Sequence, residues 1–282
     1  MRLEGLSAAL RDAYPDGDAY TQLMVLVSEF GDVALIMVVL SLLYWLTDRR
    51  KAAVVASYVV VAASFIILLK AVLGMPRPPE EVLAVPLSDD PYGFPSGHAF
   101  ITVVVYGGLV RAFGEHRNPL AVGGVVALLV AVSFSRIALG LHYVGDTVAG
   151  AFVGVVFLLV LNALVEDRPE RGFALGAALA VPTLVYTGGE EVVLVALGGS
   201  VGGFVASLRL EDVPALRSRA EGAYLAVLGL VFLVSVTVFE SVVVDGNPVG
   251  VVAVNAVLVA GIFLAPFAVG RLDERFVRPT RA

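Results

Sequence analysis

The sequence predicts an all-α fold, a polytopic integral membrane helical bundle of about nine transmembrane helices, and three observations lead there. Hydrophobic residues make up 59% of the 282 positions and charged residues only 16%, against about a quarter charged in a soluble domain of this length. The missing charge is concentrated in long apolar runs rather than spread evenly. The basic residues, in turn, fall at alternate ends of those runs.

A helix that crosses the hydrocarbon core needs about 20 mostly apolar residues. Nine segments approach that, at roughly 23–46, 52–74, 97–114, 119–138, 144–165, 172–187, 191–208, 222–243 and 248–270. The first has a polar approach: Glu29 and Asp32 sit deep for a span, so residues 15–32 also read as an interfacial segment. The sixth is short and holds Pro182. In the seventh, Gly198, Gly199, Gly202 and Gly203 form small-xxx-small pairs that suit close helix packing. The opening 20 residues are polar and acidic and lack the pattern of a signal peptide, so targeting is expected to fall to the first membrane helix.

Orientation follows from the basic residues of the short loops. Arg49, Arg50, Lys51, Arg111, Arg117, Arg168, Arg171, Arg209, Arg217, Arg219, Arg271, Arg275, Arg278 and Arg281 all fall on one side. That side is expected to be cytoplasmic, together with the C-terminus, in a multi-pass protein of the cell membrane. The other side receives Arg2, Arg11, Lys70, Arg77 and Arg136. The last three lie at or beside helix ends, which suggests that they are kept there for chemistry. A net charge of −6 argues against a nucleic-acid partner, and with no cysteine there is neither disulfide nor thiolate chemistry.

The chain reads as two regions, a catalytic membrane domain over 1–170 and four further spans over 171–282. Three outward-facing segments of the first converge: KAVLGMPRP from Lys70 to Pro78, PSGH from Pro95 to His98, and SRIALGLHYVGD from Ser135 to Asp146. A lysine near the end of a span is either functional or snorkels to the headgroups. Ser96 is a natural helix N-cap, and Gly97 lets backbone amides approach an anion. His142 and Asp146 are four residues apart, so a carboxylate can accept the Nδ1 proton and leave Nε2 free. Arg136 offers a fork suited to phosphate oxygens. Each segment alone also has a structural reading, as a cap, an interfacial histidine or a His–Asp pair. Together they supply two histidines, one carboxylate and three cations on one membrane face, the parts that phosphoryl transfer needs. The third histidine, His116, reads as a solvated loop residue. No ligand spacing for a metal is seen, and no cofactor is expected.

These three segments, in this order and spacing, resemble the signature of the type 2 phosphatidic acid phosphatase family: Lys-x6-Arg-Pro, Pro-Ser-Gly-His and Ser-Arg-x5-His-x3-Asp. Every fixed position matches, and the resemblance covers roughly residues 30–165. It implies that His142 attacks phosphorus, that Asp146 orients it, and that His98 serves the leaving oxygen and then water. It also implies that Lys70, Arg77, Arg136, Ser96 and the amide of Gly97 hold the phosphate, without a metal and on the extracytoplasmic side.

The expected partners are the bilayer and a lipid-linked phosphate or polyprenyl diphosphate. Glu80, Glu81, Asp89 and Asp90 in the loop before PSGH should repel small soluble polyanions. Two alternatives share these features: a phosphotransferase moving a lipid headgroup, and a lipid transporter or flippase using the last four spans. Those spans otherwise serve packing, against the catalytic half or in a homo-oligomer. The resemblance extends to vanadium haloperoxidases, which are soluble and so fit a membrane chain poorly.

Overall fold

Where water is absent, a chain that must satisfy its own N–H and C=O groups within one segment forms an α-helix. The computed structural model describes residues 2–13, 17–86, 90–244 and 246–276. Among them regular structure is helical, with one isolated bridge between Pro76 and Tyr92. In chain order the helices are α1 (Glu4–Asp12), α2 (Asp18–Gly31), α3 (Val33–Leu46), α4 (Arg49–Leu73), α5 (Gly97–Ala112), α6 (Pro119–Ala138), α7 (Val144–Val165), α8 (Pro169–Thr187), α9 (Glu191–Ser207), α10 (Arg219–Val244) and α11 (Pro248–Phe276). Asp89, Arg278 and Arg281 lie outside the described residues.

Five of these helices are long and apolar enough to cross a membrane: α4, α6, α7, α10 and α11 over Pro248–Ala268. A sixth span results if α2 and α3, bent by 53° at their junction, count as one. The expected nine segments are therefore all helical, but not all of them qualify as spans. At ~1.5 Å per residue, α5 and α9 fall short of the ~30 Å hydrocarbon core. α8 carries Glu170 and Arg171 in its first turn and Pro182 inside it. The break between α2 and α3 is at Asp32, whose Oδ1 accepts the Ala34 N–H at 2.7 Å. A carboxylate that caps a new helix cannot also continue the old one.

Hydroxyls inside the apolar helices return to their own backbone. Ser57 donates to the Val54 carbonyl, Ser135 to Val132, Thr183 to Leu179 and Ser200 to Ala196. No polar side chain among these needs water. Outward, α7 presents Val148, Phe152, Val156 and Leu159 along one stripe, with Phe152 69% and Leu159 62% exposed. Such a surface suits acyl chains, as a membrane protein requires, and in water would cost about 25 cal/mol per Å².

The chain divides into two compact units, residues 1–37 with 65–164, and residues 38–64 with 165–282. This differs from the halves 1–170 and 171–282 in giving residues 38–64 to the later unit. The reason is packing: the Tyr44 hydroxyl and the Trp45 indole N–H donate to the carbonyls of Phe263 and Ile262 at 3.0 and 2.9 Å. In the first unit, Phe65, Phe100 and Phe157 stack at centroid distances of 4.6–5.9 Å and lock α4, α5 and α7 together. Met24, Leu139 and Leu141 form a buried cluster covered by Tyr20, Leu83 and Phe134, which seats the turn after α6.

In the second unit α9 and α11 approach through the glycines singled out in the sequence. A Cβ at Gly202 would lie 2.0 Å from the Ala256 carbonyl oxygen, and one at Gly198 would lie 2.4 Å from that of Val252. Gly203 leaves room for the Phe173 ring. Because the obstacle at Gly202 is backbone, no rotamer change relieves it. Gly202→Val is expected to lower the thermal midpoint in detergent by several degrees. Gly123→Ala, where nothing lies within 4 Å, should leave the midpoint within about a degree or two.

Candidate active site

Four helix ends meet in the first unit. α4 ends just after Lys70, α5 begins at Gly97, α6 ends just after Arg136, and α7 begins just before Asp146. Helices that alternate in direction bring the C-termini of α4 and α6 to the N-termini of α5 and α7. Each end is shaped locally. Gly74, at φ +60°, lets the chain leave α4, and Ser96 accepts the Ala99 N–H as the N-cap of α5. Gly140, at φ +75°, turns the chain after α6 so closely under Val82 that a Cβ would lie 1.9 Å from its carbonyl oxygen. That turn presents His142, whose own N–H bonds the Arg136 carbonyl at 3.2 Å.

His142 is 1% exposed. Its Nδ1 lies 2.7 Å from the Gly93 carbonyl oxygen and 3.6 Å from Asp146 Oδ2. A carbonyl only accepts, so Nδ1 carries the proton and Nε2 the lone pair. The tautomer expected from the sequence is the one present, but the nearer acceptor is the Gly93 backbone rather than Asp146. Nε2 faces Arg77 Nη1 at 3.5 Å. Burial, reinforced by Arg136, Lys70 and Arg77 and opposed by Asp146, pushes the His142 imidazole down to about 3. The ring is neutral at physiological pH.

Lys70, Arg77 and Arg136 all act on His98 and His142 electrostatically, and His142 acts on His98. The rings therefore share one site. Gly97 is beside Lys70, with 3.8 Å between a Cβ built there and Nζ. Arg136 donates through Nη1 to Ser28 Oγ at 2.8 Å, and its Nε is buried with no hydrogen-bond partner among the described residues. Glu29 and Asp32, awkward as span residues, lie within the electrostatic reach of Arg136.

Besides Gly93 and Ser28, two charged residues enter the site without having been assigned to it from the sequence. Asp90 Oδ2 pairs with Lys70 Nζ and with Arg77 Nη2, the latter at 3.3 Å, while Arg77 Nε donates to the Asp90 carbonyl at 2.7 Å. Burial pushes this carboxyl up, but Lys70 and Arg77 outweigh burial and hold it below its ordinary range. Asp90 is thus engaged with the cations and is not part of a repelling acidic loop; Glu80 and Glu81 are exposed. The other is Arg2, which binds both oxygens of Asp146 at 2.7 Å. Only contact in space reveals either: Arg2 is 144 positions from Asp146.

Residues 51–170 match the family model of the PAP2 superfamily. Comparison with curated proteins and with solved structures gave no match.

The neutral, buried His142 has a consequence for stability. Unfolded, an imidazole takes its proton near 6.5, so between about pH 6.5 and 3 the unfolded chain binds more protons than the folded one. Stability is therefore lost as the pH falls through that window. Thermal midpoints in detergent should drop on acidification from pH 7 to 4, and the drop should be smaller in His142→Asn.

Proposed function

We propose, from the match of residues 51–170 to the family model of the PAP2 superfamily, a group of phosphatases, that this chain hydrolyses a lipid phosphate or polyprenyl diphosphate through a phosphohistidine. The observation that carries this reading is the carboxylate of Asp90 on Lys70 and Arg77, with Arg77 Nη1 next to His142 Nε2. An anion already rests where two cations meet beside a free imidazole lone pair. A phosphate oxygen suits the same place.

The chemistry follows from that arrangement. His142 Nε2 attacks phosphorus, and the bond to the leaving oxygen breaks in line. Lys70, Arg77 and Arg136, whose buried Nε has no hydrogen-bond partner among the described residues, stabilise charge on the equatorial oxygens. Ser96 and the Gly97 amide close the start of α5 around the same oxygens. His98, whose hold on a proton burial and the cations of the site weaken and the negative charge of a bound phosphate restores, gives its proton to the leaving oxygen, then takes one from the water that attacks the phosphohistidine. The P–N bond breaks, and His142 regains its lone pair. Asp146 supports the charge that develops on the imidazole.

The lipid substrate is argued from position. The site lies at the ends of apolar helices, where an amphiphile enters sideways with its tail in the bilayer. Exposed Glu80 and Glu81 disfavour small soluble polyanions. By the distribution of basic residues, the site opens on the extracytoplasmic face.

Purified protein in detergent is expected to release phosphate from lipid phosphates without added magnesium and to be inhibited by vanadate. His142→Ala should lose activity by about a thousandfold or more, and His98→Ala heavily. Full activity in His142→Ala would end the nucleophile assignment. Asp90 has to yield both cations to a phosphate, so Asp90→Asn should lower KM and tighten vanadate inhibition several-fold; a raised KM would show instead that Asp90 builds the cradle.

A further inference from the structure

Arg2 precedes α1 and lies 14% exposed against the start of α7. Its Nε and Nη2 donate to Asp146 Oδ1 and Oδ2, both at 2.7 Å. Its Nη1 donates to the Pro76 carbonyl at 2.5 Å, and its guanidinium carbon lies 4.6 Å from the centroid of the Tyr143 ring. The Arg2 carbonyl accepts the Gly145 N–H at 3.0 Å. One side chain thereby joins the Lys70–Pro78 and Ser135–Asp146 segments.

The surroundings are shaped around it. A Cβ at Gly93 would lie 2.7 Å from Arg2 Nη2, and one at Gly145 would lie 2.8 Å from Arg2 Cα. Leu3 takes a left-handed backbone, φ 58° and ψ 43°, although its own side chain is 48% exposed and gains little from packing. A bulky residue in that region is strained. Here the left-handed turn at Leu3 separates the inward-pointing Arg2 from the start of α1 at Glu4. Ser7, fully buried, fastens the helix by accepting the Val144 N–H at 2.9 Å.

We propose that Arg2 is a positioning residue for the phosphatase reaction: its fork holds the Asp146 carboxylate turned beside His142, so that the Nδ1–H stays hydrogen-bonded to the Gly93 carbonyl and Nε2 stays aimed at phosphorus. This rests on the reading of His142 as nucleophile. Asp146 has the Tyr143 N–H at 2.9 Å and Arg2 on its oxygens, and His142 Nδ1 only at 3.6 Å. Without Arg2, only the Tyr143 N–H keeps the carboxylate from swinging onto Nδ1 or losing its orientation. The charged and titratable groups within electrostatic reach of His142 are Asp146, Arg136, Lys70 and Arg77, and His142 in turn reaches His98. Removing a cation from Asp146 strengthens the pull of that carboxylate on the imidazole proton.

The test uses full-length protein in detergent, with a lipid phosphate and p-nitrophenyl phosphate as substrates. Arg2→Ala is expected to lower kcat roughly 10- to 100-fold with KM little changed, since Arg2 is placed on Asp146 and not on phosphate. The acid limb of the kcat/KM profile should move to higher pH. Ethylguanidine at millimolar concentration should restore part of kcat in Arg2→Ala and do nothing for Asp146→Ala. Arg2→Lys, which keeps the charge and loses the fork, should fall between. Should Arg2→Ala not fold, Arg2→Lys carries the test through its kcat and acid limb. Unchanged kcat and pH profile in either variant overturns the proposal. A wild type inactive on every phosphate ester would instead overturn the proposed function, so the two failures are distinct.

Discussion

Three cations brought to one point in apolar surroundings repel one another, and the first unit is organised around that repulsion. At an effective dielectric constant of about 20, two like charges 5 Å apart cost roughly 3 kcal/mol. Lys70, Arg77 and Arg136 come from α4, the loop after it, and α6, and each is held by something other than mutual attraction. Asp90 takes the first two. Ser28, with Glu29 and Asp32 nearby, takes the third. The bend between α2 and α3 belongs to this solution: the junction that breaks an apolar helix also delivers acceptors to a buried guanidinium.

The same crowding keeps protons off the imidazoles. A histidine among cations stays neutral, and a neutral ring with its proton fixed on Nδ1 is a nucleophile at Nε2. The backbone carbonyl of Gly93 is a suitable acceptor for that proton, because a carbonyl cannot remove it. Asp146 is left at 3.6 Å, near enough to stabilise a ring that becomes positive and far enough not to make it so beforehand.

How much of this was legible in the sequence depends on the kind of interaction. Helices α6 and α7 run over Pro119–Ala138 and Val144–Val165, the bounds read from the apolar runs, because caps and turn residues mark their ends. The convergence of Lys70, Arg77, Ser96, Gly97, His98, Arg136, His142 and Asp146 was also legible, since the alternation of helices carries each segment to the same end. The number of spans was not: a run of apolar letters does not reveal that Asp32 will cap a new helix or that α5 stops short of a bilayer's width. Gly93 was unreadable as an acceptor because a carbonyl has no signature of its own. Asp90 looked like one acid among several, and Arg2 like a stray charge outside the bilayer. Their roles come from tertiary pairing, and no periodicity encodes it.

The resting charge balance explains why a carboxylate belongs among phosphate-binding cations at all. On the proposed function, Lys70 and Arg77 must be strong enough anion ligands to hold a phosphate against water, yet folded protein without substrate has to keep them buried. A buried, unpaired cation is costly, whereas a buried pair with good geometry is tolerated. Asp90 supplies one carboxylate, with less charge than a phosphate. It neutralises the pair without matching what a substrate offers. On the proposal above, Arg2 solves the reciprocal problem for Asp146, an anion that must remain ionised beside a ring whose Nδ1 proton it should not draw away. The site is thus two interlocked neutralisations, one to be exchanged for substrate and one to be kept throughout.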